Sequence, residues 1–500
     1  MSPLTLAILL LLLASLWTFI NILYAPKKLP PGPPGLPIIG NLHKLTNLPH
    51  RYLGNLAKQY GPIMSLRLGQ VPAVVISSPK AAELILKTHD IVFASRPKAQ
   101  TFDDYETYGN YGLAFSPYGP YWRNVRKMCT LHLLSASKIE SFAPIRKMEV
   151  ESMVHSLKEA AAMHEVVDLS KKVNKLIEES TCRMIFGRRK SDGLKLMELI
   201  HQLMILAGNF NIAAFLPFLG PFDLQRLRPR MNKIFGALDK ILDTIIEEHE
   251  QKTPSKEGRH RDFVDMLLSL MNQPMNISDE QETTLDRVKI KAILLDMFTG
   301  ASDTSIGTIE WTLSELMKHP QVMKLVQEEL KSFVGMNRMV EETDLGNLTY
   351  LDMVIKESFR LHPIAPLIIP RESMEDIEIN GYYIPRKTRI LVNAWAIGHD
   401  PDTWSKNAEE FYPERFINSN IELKGRDFQL IPFGSGRRGC PGMQLGLIKV
   451  KYVVAQLMHC FDWELPNDMS PNDLDMQEKN GLAVPRANPL LVIPTYRLLS

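Results

Sequence analysis

Apolar residues recur at helical spacing along most of the chain. Segments 148–186, 193–210, 231–250, 262–272, 285–319, 321–334, 349–361 and 443–460 place them three and four positions apart, which lines one face of an α-helix. Two-residue alternation is scarcer and shorter. Ile63–Leu68, 73–76, Ile377–Ile379 and 389–393 read as strands. The pattern predicts a mainly α fold with a minor β component. One stretch has no polar face. Residues 1–26 carry no charged side chain, and 4–24 are almost wholly apolar. At about 1.5 Å per residue such a helix crosses a hydrocarbon layer of roughly 30 Å, so an N-terminal transmembrane anchor over 1–26 is expected. Lys27 and Lys28 follow at once, and positive charge stays on the cytosolic side, leaving the rest of the chain in the cytosol. A cleaved signal peptide fits less well: no basic residue precedes the run, and the run is longer than such peptides use.

Beyond the anchor, the run Pro30-Pro31-Gly32-Pro33-Pro34-Gly35-Leu36-Pro37 holds five prolines in eight residues. Proline fixes φ and lacks an N–H, so a helix ends here and residues 27–37 are expected to form a stiff hinge. No later break in composition divides 38–500, and no internal repeat is present. The polar segment 251–261 reads as a surface loop. A single domain over 38–500 is therefore expected.

The 500 residues are 45% hydrophobic, enough to build a large core. Lys+Arg number 58 and Asp+Glu 56, a balance that gives no footing for nucleic acid as a partner. The four cysteines are Cys129, Cys182, Cys440 and Cys460. None forms a C-x-x-C pair, which speaks against a zinc ribbon, a dithiol redox site or a disulfide scaffold. Cys129, Cys182 and Cys460 read as buried small hydrophobes.

Cys440 differs. It closes the run Pro432-Phe433-Gly434-Ser435-Gly436-Arg437-Arg438-Gly439-Cys440-Pro441-Gly442, directly before the apolar helix 443–460. The glycines imply a tightly folded backbone. A helix N-terminus and neighbouring arginines favour the thiolate, the form that binds metal. A phosphate loop would continue into Lys-Ser/Thr, and a nucleophilic cysteine would want a histidine nearby; neither is present. The pattern Phe-x-x-Gly-x-Arg-x-Cys-x-Gly closely resembles the haem-binding loop of the cytochrome P450 family, in which a cysteine thiolate holds haem iron.

Further motifs follow in that family's order. Glu357 and Arg360 form Glu-x-x-Arg on one helix face, and Arg415 lies in Phe411-Tyr412-Pro413-Glu414-Arg415-Phe416. The resemblance makes Glu357, Arg360 and Arg415 a buried structural network. Thr299-Gly300-Ala301-Ser302-Asp303-Thr304-Ser305 resembles the oxygen-activation motif, with Ala301 where many relatives carry a second glycine. Small residues there let a flat cofactor approach, and a mid-helix threonine bonds back to the i−4 carbonyl and bends the helix. Splitting dioxygen needs protons at its distal oxygen while the thiolate donates electron density from the other side. The resemblance thus gives Thr304 and Asp303 the catalytic roles of orienting and relaying protons. Trp122 and Arg126 share a helix face at i, i+4 and carry only donors, suited to a carboxylate. In the family such a pair holds haem propionates, with Arg371, Arg438 and Arg96 as further contacts and Phe433 beside the ligand cysteine.

Segments matching substrate-contact regions are mostly apolar: 99–116, 203–218, 294–304, 364–369 and 481–484. Phe115, Phe210, Phe215, Phe298, Leu367 and Ile368 are candidate pocket walls, and Asn209 and Asn211 candidate polar contacts. An apolar pocket implies a lipophilic substrate. Residues 215–219 are candidates for an entry lip dipping into the bilayer. With the hinge and Phe93-Ala94-Ser95-Arg96-Pro97, the chain resembles the plant A-type microsomal members. That resemblance implies haem b, NADPH electrons through a membrane-bound cytochrome P450 reductase, residence in the endoplasmic reticulum membrane, and oxidation of a specialised metabolite such as a terpenoid or phenolic. Arg123, Lys127, Lys424, Arg426 and Arg437 would form the reductase-docking face. Two other readings remain at this point: a haem-thiolate isomerase or dehydratase needing no reductase, and a non-catalytic haem-binding protein.

Overall fold

A computed structural model describes residues 28–45, 47–97, 111–189, 196–208, 211–251, 262–273 and 284–499, together with Leu12 and Ser15. Nearly all of the anchor, the loop residues 252–261, Asn209, Phe210 and all of 98–110 therefore lie outside the described residues. Among those described, no helix is long and apolar enough to cross a membrane.

Helices dominate. They are α1 (Pro49–Tyr60), α2 (Pro120–Met128), α3 (Ala143–Ala162), α4 (Leu169–Phe186), α5 (Leu196–Gly208), α6 (Leu227–Gln251), α7 (Phe263–Ser269), α8 (Arg287–Ala301), α9 (Asp303–Lys318), α10 (Pro320–Val334), α11 (Thr349–Leu361) and α12 (Met443–Cys460), with shorter turns between them. The strands are β1 (Ile63–Leu68), β2 (Val71–Ile76), β3 (Val167–Asp168), β4 (Arg371–Glu372), β5 (Ile377–Ile379), β6 (Tyr382–Ile384), β7 (Arg389–Val392), β8 (Phe461–Glu464) and β9 (Leu491–Tyr496). They form a sheet of order β1-β2-β7-β4, a sheet of order β3-β9-β8, and the hairpin β5-β6. Only the β2–β7 pairing is parallel among them.

Two expected helices are each divided. The stretch 148–186 is interrupted because the β-branched pair Val166-Val167 leads into a strand, where Val167 and Asp168 pair with β9. Asp168 then caps α4, its Oδ1 accepting the Lys171 N–H at 2.9 Å. The stretch 285–319 breaks at Ser302, whose φ of −95° and ψ of −80° leave the helical region. Side-chain hydroxyls mark that break. Ser302 Oγ donates to the Phe298 carbonyl at 3.1 Å and Thr304 Oγ1 to the Gly300 carbonyl at 2.8 Å. Such back-bonding bends helices. Strands β3, β4, β6, β8 and β9 were not foreseen.

The largest core lies among α3, α4, α9, α10, α11 and α12, with Leu313, Leu316, Val454 and Leu457 fully buried. A second gathers α2, α6, α7 and α8 around Phe298, which stacks on Phe186 with ring centroids 5.7 Å apart. Phe298 is therefore core rather than pocket wall. The hinge does not hang free. Pro31 O accepts the Ser65 N–H at 2.9 Å, Pro30 O the Ser65 hydroxyl at 2.6 Å, and Asn41 Nδ2 donates to Pro33 and Pro34 carbonyls. Gly32 passes so near the Ser65 carbonyl that an added Cβ would strike it.

Candidate active site

The cysteine loop is held from below by Asp90. Gly434 and Gly436 adopt φ of +67° and +68°, which side chains resist. At Gly436 a Cβ would strike the Leu86 carbonyl and Asp90. Asp90 Oδ2 accepts the Arg437 N–H at 2.9 Å and its Nη1 at 3.0 Å, while Oδ1 accepts Arg371 Nη1 at 2.8 Å. No motif flagged Asp90; it sits in an unremarked turn and becomes visible only when the chain folds back from position 437. The Cys440 N–H donates to the Phe433 carbonyl at 2.8 Å, and the Phe433 ring rests on Phe359 at 5.1 Å.

Cys440 lies deep in the molecule and is nevertheless exposed. It therefore lines an open internal space rather than the packed core. Cys129, Cys182 and Cys460 are buried. Burial raises the Cys440 thiol above its ordinary value, with the Gly442 N–H and Arg126 pulling it down. The sequence suggested that Arg437 and Arg438 would supply this positive potential. Arg437 is instead paired with Asp90, and Arg126 is the cation that acts on Cys440.

Around the loop stands a cluster of guanidiniums. Arg96, Arg371 and Arg438 are buried at 5%, 3% and 8% exposure. Arg96 bonds to the carbonyls of Ala114, Ile369 and Pro370, and Arg371 Nη2 to that of Ser435. Arg438 bonds to the carbonyls of Ala94 and Ser116, and lies 3.9 Å from the Trp122 ring centroid, a cation–π distance. Trp122 Nε1 donates to the Leu113 carbonyl at 2.9 Å, and Arg126 Nη2 to that of Gly439 at 2.7 Å. Burial, then Arg371 and Arg126, bring Arg438 down to about 9. Burial, then Arg438 and Arg371, likewise lower Arg96. A buried group of like charges with Asp90 as its bonded carboxylate is the arrangement that a dianionic ligand would relieve.

On the helix side, an added Cβ at Gly300 would meet no atom within 4 Å, so space opens against this turn. Asp303 and Thr304 follow the Ser302 break at the start of α9. Burial raises the Asp303 carboxyl, with His201 on α5 pulling it down and Glu178 on α4 pushing it further up. Asp296, one and a half turns before the break, was not singled out from the sequence. It accepts N–H groups of Leu113 at 2.5 Å and Ala114 at 2.9 Å, pinning the segment that also receives Trp122 and Arg438.

Glu357 and Arg360 are fully buried. Glu357 Oε1 accepts Arg360 Nη2 at 2.7 Å, Arg415 Nε at 2.8 Å and the Tyr412 N–H at 2.9 Å, while Oε2 accepts Arg360 Nε at 2.8 Å. Arg360 also binds the carbonyls of Gly398, Ala408 and Glu410. These bonds tie α11 to the chain 398–416.

Comparison with known proteins decides the family. The family model described as Cytochrome P450 matches residues 30–493. The chain belongs to the cytochrome P450 family. It is 56% identical to Cytochrome P450 CYP736A12 of Panax ginseng over 502 residues, covering all of both chains. It is 43% identical to Cytochrome P450 71A1 of Persea americana over 467 residues, 92% of each. With Desmethyl-deoxy-podophyllotoxin synthase of Sinopodophyllum hexandrum it shares 42% over 472 residues, 94% of this chain and 92% of that one. This P450 is accordingly an enzyme of the monooxygenase class with plant relatives, and the family implies haem. The residues present fit that group: an accessible deep thiol, a buried cationic cluster for two carboxylates, and an open helix face at Gly300.

The remaining substrate-side expectations divide. Ile368 approaches the cysteine loop, its Cγ2 standing 3.7 Å from a Cβ placed on Gly434. Phe215 and Leu367 instead pack in the cluster under β1 and β2, and Arg389 lies over the Phe215 ring at 5.0 Å. The Asn211 side chain is spent locally, accepting the Ala213 N–H at 3.0 Å.

Proposed function

We propose that this P450 binds haem b and inserts one oxygen atom from dioxygen into a lipophilic plant specialised metabolite, using NADPH electrons delivered by a membrane-bound reductase. The observation that carries the reading is Cys440, a thiol deep in the fold yet open, on a loop braced by Asp90 and ringed by buried arginines. Cys440 would supply the thiolate that holds the haem iron, and binding the metal would favour loss of its proton against the burial that raises the free thiol. Trp122, Arg126, Arg371, Arg438 and Arg96 would hold the propionates, and Phe433 would pack beside the ligand cysteine. Haem, when bound, supplies the iron at which dioxygen is reduced and cleaved.

The chain's own part is proton handling and exclusion of water. Thr304 Oγ1 gives its hydrogen to the Gly300 carbonyl, which leaves the hydroxyl oxygen aimed as an acceptor. Asp303 is held toward its protonated form by burial and gathers protons from the side of His201 and Glu178. Glu357, Arg360 and Arg415 act structurally, fixing the chain 398–416 on α11.

Membrane residence rests on the charge-free segment 1–26 and on where exposed apolar side chains gather. Leu29 and Leu36 of the hinge and Ile38 just after it are 53%, 47% and 61% exposed, and Phe218, Phe222 and Leu224 are 50%, 70% and 62% exposed. The two groups meet at the β1–β2 turn, where the Gln70 N–H donates to the Phe215 carbonyl and the Gly69 N–H to that of Ile39. A shared apolar rim of this kind suits the cytosolic leaflet of the endoplasmic reticulum. Arg123, Lys127, Lys424, Arg426 and Arg437 are exposed and would suit an acidic reductase surface. Desmethyl-deoxy-podophyllotoxin synthase, a relative named for a plant metabolite, supports the substrate class.

Microsomes carrying this protein and a reductase, screened against lipophilic plant metabolites with mass detection, test the reading. A product that gains one oxygen and needs both NADPH and reductase supports it. Turnover without reductase turns it over in favour of an isomerase or dehydratase.

A further inference from the structure

Lys449 sits two turns into α12 and has been given no role above. It is 2% exposed. Its Nζ donates to Thr181 Oγ1 on α4 at 2.9 Å and reaches the Ala301 carbonyl at 3.4 Å. Both acceptors are neutral. Lys449 takes part in no ion pair among the described residues, although burying an ammonium without a carboxylate is costly. Ala301 is the last residue of α8, immediately before the Ser302 break. The amine therefore connects three elements: the helix that follows the cysteine loop, α4, and the bend beyond which Asp303 and Thr304 begin.

Of the charged groups on the surrounding elements, Arg146 is the one that acts on Lys449. Arg146 on α3 is committed to Glu342 through bonds of 2.5 and 2.6 Å. Glu178 and Glu179 precede Thr181 on α4, and Asp303 opens α9. Burial, then Arg146, bring the Lys449 ammonium down to about 7.

We propose that Lys449 is a positioning residue for oxygen splitting, its ε-amino group holding the Ala301 carbonyl and so fixing the bend that aims Asp303 and Thr304. This inference rests on the proton-delivery role given to those two residues above. It carries a pH signature. The folded value lies below the ordinary 10.5, so between about 7 and 10.5 the unfolded chain binds the extra proton. Lys449 thus makes stability rise with pH across that window and leaves it level below about 7.

The test uses the haem-loaded full chain with reductase, comparing wild type, Lys449→Met, Lys449→Gln and Thr304→Ala. Three quantities are read: peptide-resolved amide exchange over 298–306, product formed per NADPH, and unfolding midpoint from pH 6 to 9. Lys449→Met is expected to speed exchange over 298–306 by about tenfold, to lower product per NADPH severalfold, and to keep the thiolate spectrum. Its stability advantage over wild type should stay constant below pH 7 and shrink above it. If Lys449→Met fails to load haem, Lys449→Gln takes its place; it carries no titrating group and should lose the pH signature. Wild-type exchange and coupling in the variant that loads, or a change in stability alone, would overturn the inference. Full coupling in Thr304→Ala would instead sink the proton-delivery reading, while the exchange data would still report on Lys449.

Discussion

At the residue scale the decisive features are single atoms placed by the backbone. Thr304 Oγ1 is fixed because it donates to the Gly300 carbonyl at 2.8 Å beside an open turn. Thr304→Ala removes the hydroxyl without touching Cys440 or the arginines. Haem content and substrate-induced spectral change should stay as in wild type, while product per NADPH falls by roughly tenfold or more and peroxide rises. Unchanged coupling would remove Thr304 from the mechanism. This residue could be read from sequence because its motif is contiguous, as are the eleven residues ending at Gly442. Asp90 and Asp296 could not. Each braces a segment distant in the chain, Asp90 the loop at 437 and Asp296 the turn at 113, and neither has a local pattern. Trp122 and Arg126 were expected to face a carboxylate together; in the structure each engages a backbone carbonyl of a neighbouring loop, which spacing alone does not reveal.

At the element scale the helix through the oxygen motif matters most. Apolar periodicity runs through 285–319 without a fault, so the pattern predicts one helix. The break at Ser302 comes from hydroxyl-to-carbonyl bonds that periodicity does not register. The same blindness hid β3, where only two residues pair. Asp296 links α8 to the segment around Leu113. Burial raises its carboxyl to about 6 against the Ala114 and Leu113 N–H groups that favour the charge. Because the folded value lies above the ordinary 3.8, the folded chain binds the extra proton between about 4 and 6, and Asp296 makes stability fall as pH rises through that range. Asp296→Asn keeps an acceptor and removes the charge. Thermal unfolding from pH 4 to 7 should show this variant gaining on wild type as pH rises toward 6, then keeping a constant lead. Parallel curves over the whole range would contradict the assignment.

For the whole molecule, the proposed orientation on the membrane rests on the hinge being bonded to β1 and on the exposed apolar rim beside it. A chain beginning at residue 28 should still bind vesicles of neutral and anionic plant-type lipids. Replacing both Phe222 and Leu224 by Asp in that chain should weaken binding by at least about tenfold, since burying two such side chains contributes about 1.5–3 kcal/mol each. Equal binding by both chains would place the membrane face elsewhere. The helical class and the order of the motifs were legible at this scale. The gathering of 96, 122, 371 and 438 near the cysteine loop was legible only through likeness to a family, and the part of Asp90 not at all, because the partners lie up to hundreds of positions apart.

The central claim is that Cys440 is the thiolate half of an oxygen-splitting site whose other half is Asp303 and Thr304. Its most direct test is the mass of the product formed under ¹⁸O₂ by microsomes with reductase and NADPH, for wild type and Cys440→His. One ¹⁸O atom per product molecule in wild type, and none inserted by Cys440→His, is the expected result. Product lacking ¹⁸O, or equal insertion by Cys440→His, would contradict it.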